Sequence, residues 1–280
     1  TFGKIYCGSK CRTDFGDIRF TKSDETGLLD YWIEEQVDSD YAIIWVEVDS
    51  IPASPNTVDI YIYYGNAGAS TTSDGDNTFL IFNDCATTTG WSVQYIVGSP
   101  AWGTATIDDV NTIYIEANAH NEKLRIQYDT PTTGRENRRH LTRVKHTSWN
   151  ADGYFIWYSP LLIGTPSQDD YIYYSSYHDY YRVFASTDGI ADYVQYSVGH
   201  PSGWYRYEKK TNAAGAVTGY RDTTNLGTAT RDGDYSGGKV MYYVYEWNPG
   251  LTKHYIDWFA VGKYVDPEPT HSTWGQETKV

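Results

Sequence analysis

Thr57-Val58-Asp59-Ile60-Tyr61-Ile62-Tyr63 alternates without a break, with Val58, Ile60 and Ile62 on one side and Asp59 and Tyr61 on the other. A period of two is that of a pleated strand, in which successive side chains point to opposite faces. Tyr, Thr, Val and Ile dominate the rest of the chain as well, and they suit a half-buried pleated surface. Tyr41 to Val48 begins apolar on both faces, the pattern of a central strand covered on both sides. Turn signals separate such runs at Asp24-Glu25-Thr26-Gly27, Ser50-Ile51-Pro52-Ala53, Asp152-Gly153, Asp188-Gly189 and Asp232-Gly233. No long stretch carries a capped apolar period of the helical kind. The pattern predicts an all-β chain of antiparallel sandwiches.

The small, polar, Gly-rich stretch Gly65 to Thr78 reads as a boundary. The expected organisation is a small β-sandwich module over 1–66, a linker over 67–78, a larger sandwich over 79–266 and an extended tail over 267–280.

The 280 residues carry 22 Lys+Arg against 36 Asp+Glu, a net charge of -14. That sign argues against a partner that is nucleic acid or an anionic membrane surface. No long apolar run is present and the mean hydropathy is -0.57, so no membrane span is expected. Thr1 opens the chain and Met241 is the single Met, which reads as a processed or excised piece. Cys7 and Cys11 enclose Gly8-Ser9-Lys10. Their spacing suits a loop-closing disulfide and an oxidising compartment, extracellular or at the cell surface; the alternative is two free thiols. Cys85 reads as a buried small hydrophobe.

Two runs invite a binding role. If Arg135 to His146 is a strand, Arg139, Leu141, Arg143 and Lys145 share one face and His140, Thr142, Val144 and His146 the other. The cations of the first face could hold carboxylates or sulfates of an acidic glycan, or else pair with acidic groups of the same chain. The second run is Asp169 to Arg182, nearly all Tyr and polar residues, beside Tyr154-Phe155-Ile156-Trp157-Tyr158. Trp157, Tyr173, Tyr177 and Tyr180 are its candidate contacts for a glycan or another surface protein, against a plain reading as core and cross-strand Tyr pairs. In the first module Asp17 and Arg19 fall on one side, with Glu34 expected to complete an ordering network, and Ile18 and Phe20 face the core.

The motifs of the first segment occur in one order: Asp14-Phe15-Gly16-Asp17-Ile18-Arg19-Phe20-Thr21, Tyr31-Trp32-Ile33-Glu34, Trp45-Val46-Glu47-Val48, Ile51-Pro52-Ala53 and Ile60-Tyr61-Ile62-Tyr63-Tyr64-Gly65-Asn66. The series, over residues 4 to about 79, resembles the domain of unknown function 2341, a module of archaeal and bacterial surface proteins. That resemblance implies no established activity. Members begin with further strands ahead of the point where this chain opens. The likeness therefore implies an incomplete module with an exposed edge, open to β-strand addition by another chain or to homo-polymer formation, unless the boundary is merely arbitrary.

The second segment carries Phe82-Asn83-Asp84, Gly90-Trp91, Gly203-Trp204-Tyr205-Arg206-Tyr207-Glu208, Gly219-Tyr220-Arg221-Asp222 and Tyr255-Ile256-Asp257-Trp258. It is similar to the concanavalin A-like lectin/glucanase (LamG-like) jelly roll. That likeness implies a candidate structural Ca²⁺ held by Asp84 and Asp257, with no cofactor required for chemistry. The Glu-x-Asp-x-(x)-Glu string that glucanase relatives use is missing, so no catalytic residue is expected. The resulting expectation is a non-catalytic extracellular surface module for adhesion or glycan or protein recognition. A self-assembling filament or surface-layer subunit is the alternative, and a glycan hydrolase or lyase the second.

Overall fold

The computed structural model describes residues 3–131, 137–148, 153–160, 169–175, 179–187, 190–197, 199, 201–230, 238–247, 249–271, 275 and 277. The chain divides into two compact units, Thr1–Leu80 with Pro267–Val280, and Ile81–Asp266. The segment 67–78, expected as a linker, and the tail 267–280 both lie within the first unit.

The first unit is a small antiparallel sandwich. Strands β1 (Arg19–Lys22), β2 (Leu28–Leu29) and β5 (Ile60–Tyr63) form one sheet in the order β2-β1-β5. Strands β3 (Tyr31–Val37) and β4 (Tyr41–Val46) form a hairpin of their own. Ile18, Phe20, Leu29 and Tyr31 are buried together, with Ile33, Ile44, Val46, Ile60 and Ile62 packed around them. Each side chain of this size stabilises the fold by roughly 1.5–3 kcal/mol when fully buried. A single helical turn, α1 (Gly75–Thr78), is capped by Asp74, whose carboxylate accepts from the Asn77 amide at 3.0 Å.

Several expectations for this unit need correcting. The alternating stretch from Thr57 becomes strand only at Ile60, and Val58 is exposed. Strand β4 is not a central strand: among the described residues it pairs with β3 alone, and Tyr41 is exposed. An apolar run reports burial and not the number of neighbours, so it cannot tell a hairpin arm from a sheet centre. No Asp17–Arg19–Glu34 network forms. The Asp17 carboxylate accepts from the Arg12 and Gly65 amides, Arg19 donates to the carbonyls of Gly16 and Ile18, and Glu34 accepts from the Trp45 indole. Cys7 and Cys11 are free thiols. Burial, and next the neighbouring Cys7 thiol, push the Cys11 thiol up to about 12. Lys10 N donates to the Cys7 carbonyl, so the turn between the two is closed by backbone instead.

The second unit is a two-layer jelly roll. Its strands in chain order are β6 (Ile81–Asn83), β7 (Trp91–Val97), β8 (Ala101–Ile107), β9 (Val110–Ala117), β10 (Glu122–Tyr128), β11 (Arg138–Ser148), β12 (Gly153–Pro160) and β13 (Asp169–Ser175). They continue as β14 (Tyr180–Thr187), β15 (Ile190–Ser197), β16 (Gly203–Thr211), β17 (Ala216–Arg221), β18 (Thr224–Thr230), β19 (Met241–Glu246) and β20 (Thr252–Lys263). One sheet has seven strands in the order β15-β14-β13-β12-β19-β10-β7. The other has eight, β18-β17-β16-β11-β20-β9-β8 with β6 also on β20. Every described pairing is antiparallel.

The core lies between these sheets. Leu124, Ile126, Ile172, Tyr174, Tyr181, Val183, Tyr242 and Val244 come from the seven-stranded side, and Val144, Tyr207, Val217, Ile256, Phe259 and Val261 from the other. Trp91 fills one end, edge-on to Tyr128 and Phe259 at centroid distances of 5.4 and 5.5 Å. Because neighbouring side chains alternate, the residues between these core positions on β10, β14 and β19 point away from the core, and this sets the outer surface of the seven-stranded sheet.

Candidate functional site

The outer surface of the seven-stranded sheet is built by that alternation. On β10, Leu124 and Ile126 enter the core, so Lys123, Arg125 and Gln127 face out. On β19, Tyr242 and Val244 enter it, so Tyr243 and Tyr245 face out, and Trp247 continues the line past the strand end. The register sets Arg125 opposite Tyr243 and Lys123 opposite Tyr245. Tyr243 and Tyr245 are 6.4 Å apart and Tyr245 and Trp247 5.7 Å, centroid to centroid. The Lys123 ammonium sits 4.5 Å from the centre of the Tyr245 ring and the Arg125 guanidinium 5.8 Å from that of Tyr243. Trp247 is 52% exposed, and its carbonyl bonds the His120 ring. The result is a track of three aromatic rings with a cation above each of the first two.

The far side of the same surface repeats this chemistry. On β14, Tyr181, Val183 and Ala185 enter the core, and Tyr180, Arg182 and Phe184 face out. The Arg182 guanidinium lies 4.5 Å from the ring centres of both Tyr180 and Tyr193, and Phe184 stacks on Tyr193 at 5.3 Å. The register runs from Arg125 through Tyr243, Ile156, Tyr173 and Arg182 to Gln195, so one row crosses six strands. Asp129, next after the end of β10, is a described carboxylate at the rim of this surface. Asp129 accepts from Ser92 at 2.7 Å and Gln127 at 3.2 Å, and Lys239 stands 3.8 Å away.

The residues singled out in the sequence do not form one site. Arg139, Arg143 and Lys145 do share a face of β11, with Thr142, Val144 and His146 directed inward, but β11 belongs to the eight-stranded sheet. Trp157, Tyr173 and Tyr180 belong to the seven-stranded one. The three cations are engaged within the chain. Arg139 Nε lies 2.6 Å from Glu208, Arg143 Nη1 2.7 Å from Asp257, and Lys145 bonds Asp108. Burial lowers the Arg139 pKa, and the Glu208 charge opposes that. Tyr180 is buried, under Arg182. The side chains of Trp157 and Tyr173, and Tyr177 altogether, lie outside the described residues.

Asp84 and Asp257 do approach each other: the Asp84 charge contributes to raising the Asp257 pKa, behind burial as the main cause. Arg143 already supplies the positive charge there. Among the described residues no three His, Cys, Asp or Glu gather as a metal site. Glu116 and Glu122 are likewise committed, Glu116 to Lys253 at 2.7 Å and Glu122 to the amides of Ser99, Asn118 and Ala119.

The track on β10 and β19 was not singled out in the sequence. Its signal was there as two period-two strings, Lys123-x-Arg125-x-Gln127 and Tyr243-x-Tyr245-x-Trp247. Only the register brings them side by side.

Residues 14–94 match the family model described as Domain of unknown function (DUF2341). No curated protein matches the chain. Among solved structures, the chain is similar to the Bacteroides ovatus mixed linkage glucan PUL (MLGUL) GH16 in complex with G4G4G3G product, with a TM-score of 0.52 at 9% identity, covering 65% of this chain and 99% of that one. A glycoside hydrolase family 16 endo-glucanase from Bacteroides ovatus, in complex with G4G3G-2F-DNP, gives 0.51 at 10% identity, with 65% and 99% covered. A Bacillus licheniformis β-glucanase gives 0.50 at 12%, with 65% and 97% covered. At such identities the likeness shows the fold. It corrects the expectation of a non-catalytic chain for adhesion or recognition. The three solved structures named above are of glucan-cleaving enzymes, so the missing Glu-x-Asp-x-(x)-Glu string is too narrow a ground for expecting no catalysis.

Proposed function

We propose that the second unit acts on glycans, as a hydrolase or lyase whose substrate chain lies across the outer surface of the seven-stranded sheet. The observation that carries this reading is the track Tyr243, Tyr245, Trp247 with Lys123 and Arg125 over its rings, on a fold shared with glucan-cleaving enzymes. Sugar rings present C–H faces to aromatic rings, and their hydroxyls accept from ammonium and guanidinium donors. Secretion or surface display suits such a role, since long glycans lie outside cells.

Hydrolysis by paired carboxylates needs two of them roughly 5–10 Å apart beside the bound sugar. The described part of the surface offers Asp129 at the rim. The central strands β12 and β13 pass between the two cation-bearing regions. The test is to incubate the chain with a panel of purified polysaccharides and follow new reducing ends together with ultraviolet absorbance. Reducing ends alone identify a hydrolase; reducing ends with the absorbance of an unsaturated sugar identify a lyase. No new ends from any glycan, with none retained in affinity electrophoresis, would sink the reading.

A further inference from the structure

The charge pattern of this surface names a substrate class. The chain carries 36 acidic against 22 basic residues. Yet the outward positions described on β10, β14, β15 and β19 hold Lys123, Arg125 and Arg182 and no carboxylate. Lys123 has the Tyr245 ring beneath it. Arg182 has the rings of Tyr180 and Tyr193, and the Gln195 amide oxygen at 3.4 Å. Neither is within ion-pair distance of a described carboxylate. The cations on β11 differ, since Arg139, Arg143 and Lys145 all reach an acidic partner. Surface cations in an acidic chain ordinarily find one. Lys123 and Arg182 rest on aromatic rings instead.

A neutral glucan would be served by the rings alone. Cations over those rings cover part of each apolar face and present N–H groups in its place. They suit a ligand that brings negative oxygens at intervals along its length, because charge-assisted bonds are about twice as strong as neutral ones. With the screening length near 8 Å at physiological salt, the chain's overall negative charge is damped across the sheet while the local cations still act.

We propose that the glycan bound here is anionic, its carboxylate or sulfate groups taken by Lys123 and Arg182, with Arg125 beside Lys123 on β10 and in the same row as Arg182. The proposal rests on the reading of this sheet as a glycan surface and adds to it the class of glycan.

The experiment measures retention and cleavage of four glycans by the full chain: polygalacturonate and alginate as carboxylate chains, dextran sulfate as the sulfate chain, and mixed-linkage glucan as the neutral one. Preference for one or both anionic kinds is expected, the arm that responds naming the group. Affinity for it should fall roughly tenfold as salt rises from low to physiological strength. K123A and R182Q together should weaken it roughly tenfold and flatten the salt dependence, with an unchanged circular dichroism melt. K145A, on the other sheet, is the control and should change neither. Preference for the neutral glucan, or anionic binding indifferent to K123A/R182Q, overturns this inference while leaving a glycan-active chain. Failure of all four overturns both.

Discussion

His146 Nδ1 lies 2.9 Å from His254 Nδ1, with both rings buried. One of these nitrogens must carry a hydrogen and the other be bare, so the accepting ring is neutral, and burial keeps the donating ring neutral as well. The surroundings hold them so: Tyr207 Oη is 2.7 Å from His146 Nε2, Tyr181 Oη is 2.8 Å from Tyr207 Oη, and Arg221 bonds Tyr181. Glu246 of β19, also buried, is taken by the Thr252 hydroxyl. Burial, and then the Arg221 charge, lower the His146 pKa to about 3, and burial and then His146 lower that of His254 well below its usual value.

The pH dependence of stability follows from this pair. Unfolding frees both rings to protonate near their ordinary pKa of about 6.5, while the folded state refuses the protons. Above that pH neither state binds them and the pair is silent. Below it the unfolded state binds more, so stability falls with pH until about 3, where folded His146 itself titrates. Each ring contributes a slope of up to about 1.4 kcal/mol per pH unit. Melting temperatures should be level from pH 8 to 7 and drop between about 6.5 and 5, before most carboxylates titrate. H254Q should reduce that drop. A flat profile from pH 7 to 5 in the parent chain would contradict the assignment.

Removing the exposed ring of the track should separate binding from folding. Trp247 is 52% exposed and lies past the end of β19, so W247A is expected to cost well under 1 kcal/mol of stability. Y243A should behave like it in binding. Each should weaken retention of the glycan by roughly tenfold, about 1.4 kcal/mol, in line with the weight of aromatic anchors at contact surfaces. Affinity electrophoresis beside a thermal melt reads both quantities. Loss of the fold with loss of binding, or neither, would remove the track from the site.

The Arg143–Asp257 pair makes an asymmetric prediction. Asp257 sits at a shift in the β11–β20 register, and burial raises its pKa although Arg143 at 2.7 Å opposes this. Arg143 is itself one third exposed and lies 4.5 Å from the Trp204 ring centre. R143A strands a carboxylate and loses that packing, and should cost about 1–3 kcal/mol, the lower part of the range for broken buried pairs because water reaches the guanidinium. D257N added to R143A should recover part of the loss. Urea melts of the two single variants and the double one give the coupling, and additive losses would show that the pair contributes nothing as a pair.

Alternation made the layers of this fold legible. Leu124 and Ile126, Tyr242 and Val244, and Thr142, Val144 and His146 all point inward as a period of two requires. What alternation cannot carry is which strands become neighbours. The Arg139 to Lys145 face stayed open between a glycan and acidic groups of the same chain because its carboxylate partners, Asp108, Glu208 and Asp257, lie far off in sequence and meet it only through β16, β20 and the β8–β9 turn. For the same reason the track on β10 and β19 stayed hidden, with its cations and rings more than a hundred residues apart. Strand β4 was misplaced because its apolar residues report one packed hairpin.

A close approach of the two sheets gives the last prediction. A Cβ built on Gly219 of β17 would lie 2.5 Å from Val183 Cγ2 of β14 and 3.3 Å from two carbons of Ile172 on β13. Val183 is fully buried and β-branched, so it has little freedom to turn aside. A methyl group there must spread the layers or displace Val183. G219A should therefore destabilise by about 1–3 kcal/mol, the usual cost of overpacking. If space is the cause, V183A in the same chain should relieve it: G219A/V183A should be no less stable than V183A alone. Denaturant melts of the three variants decide this. A G219A chain as stable as the parent would mean that the layers are not packed against each other at this point.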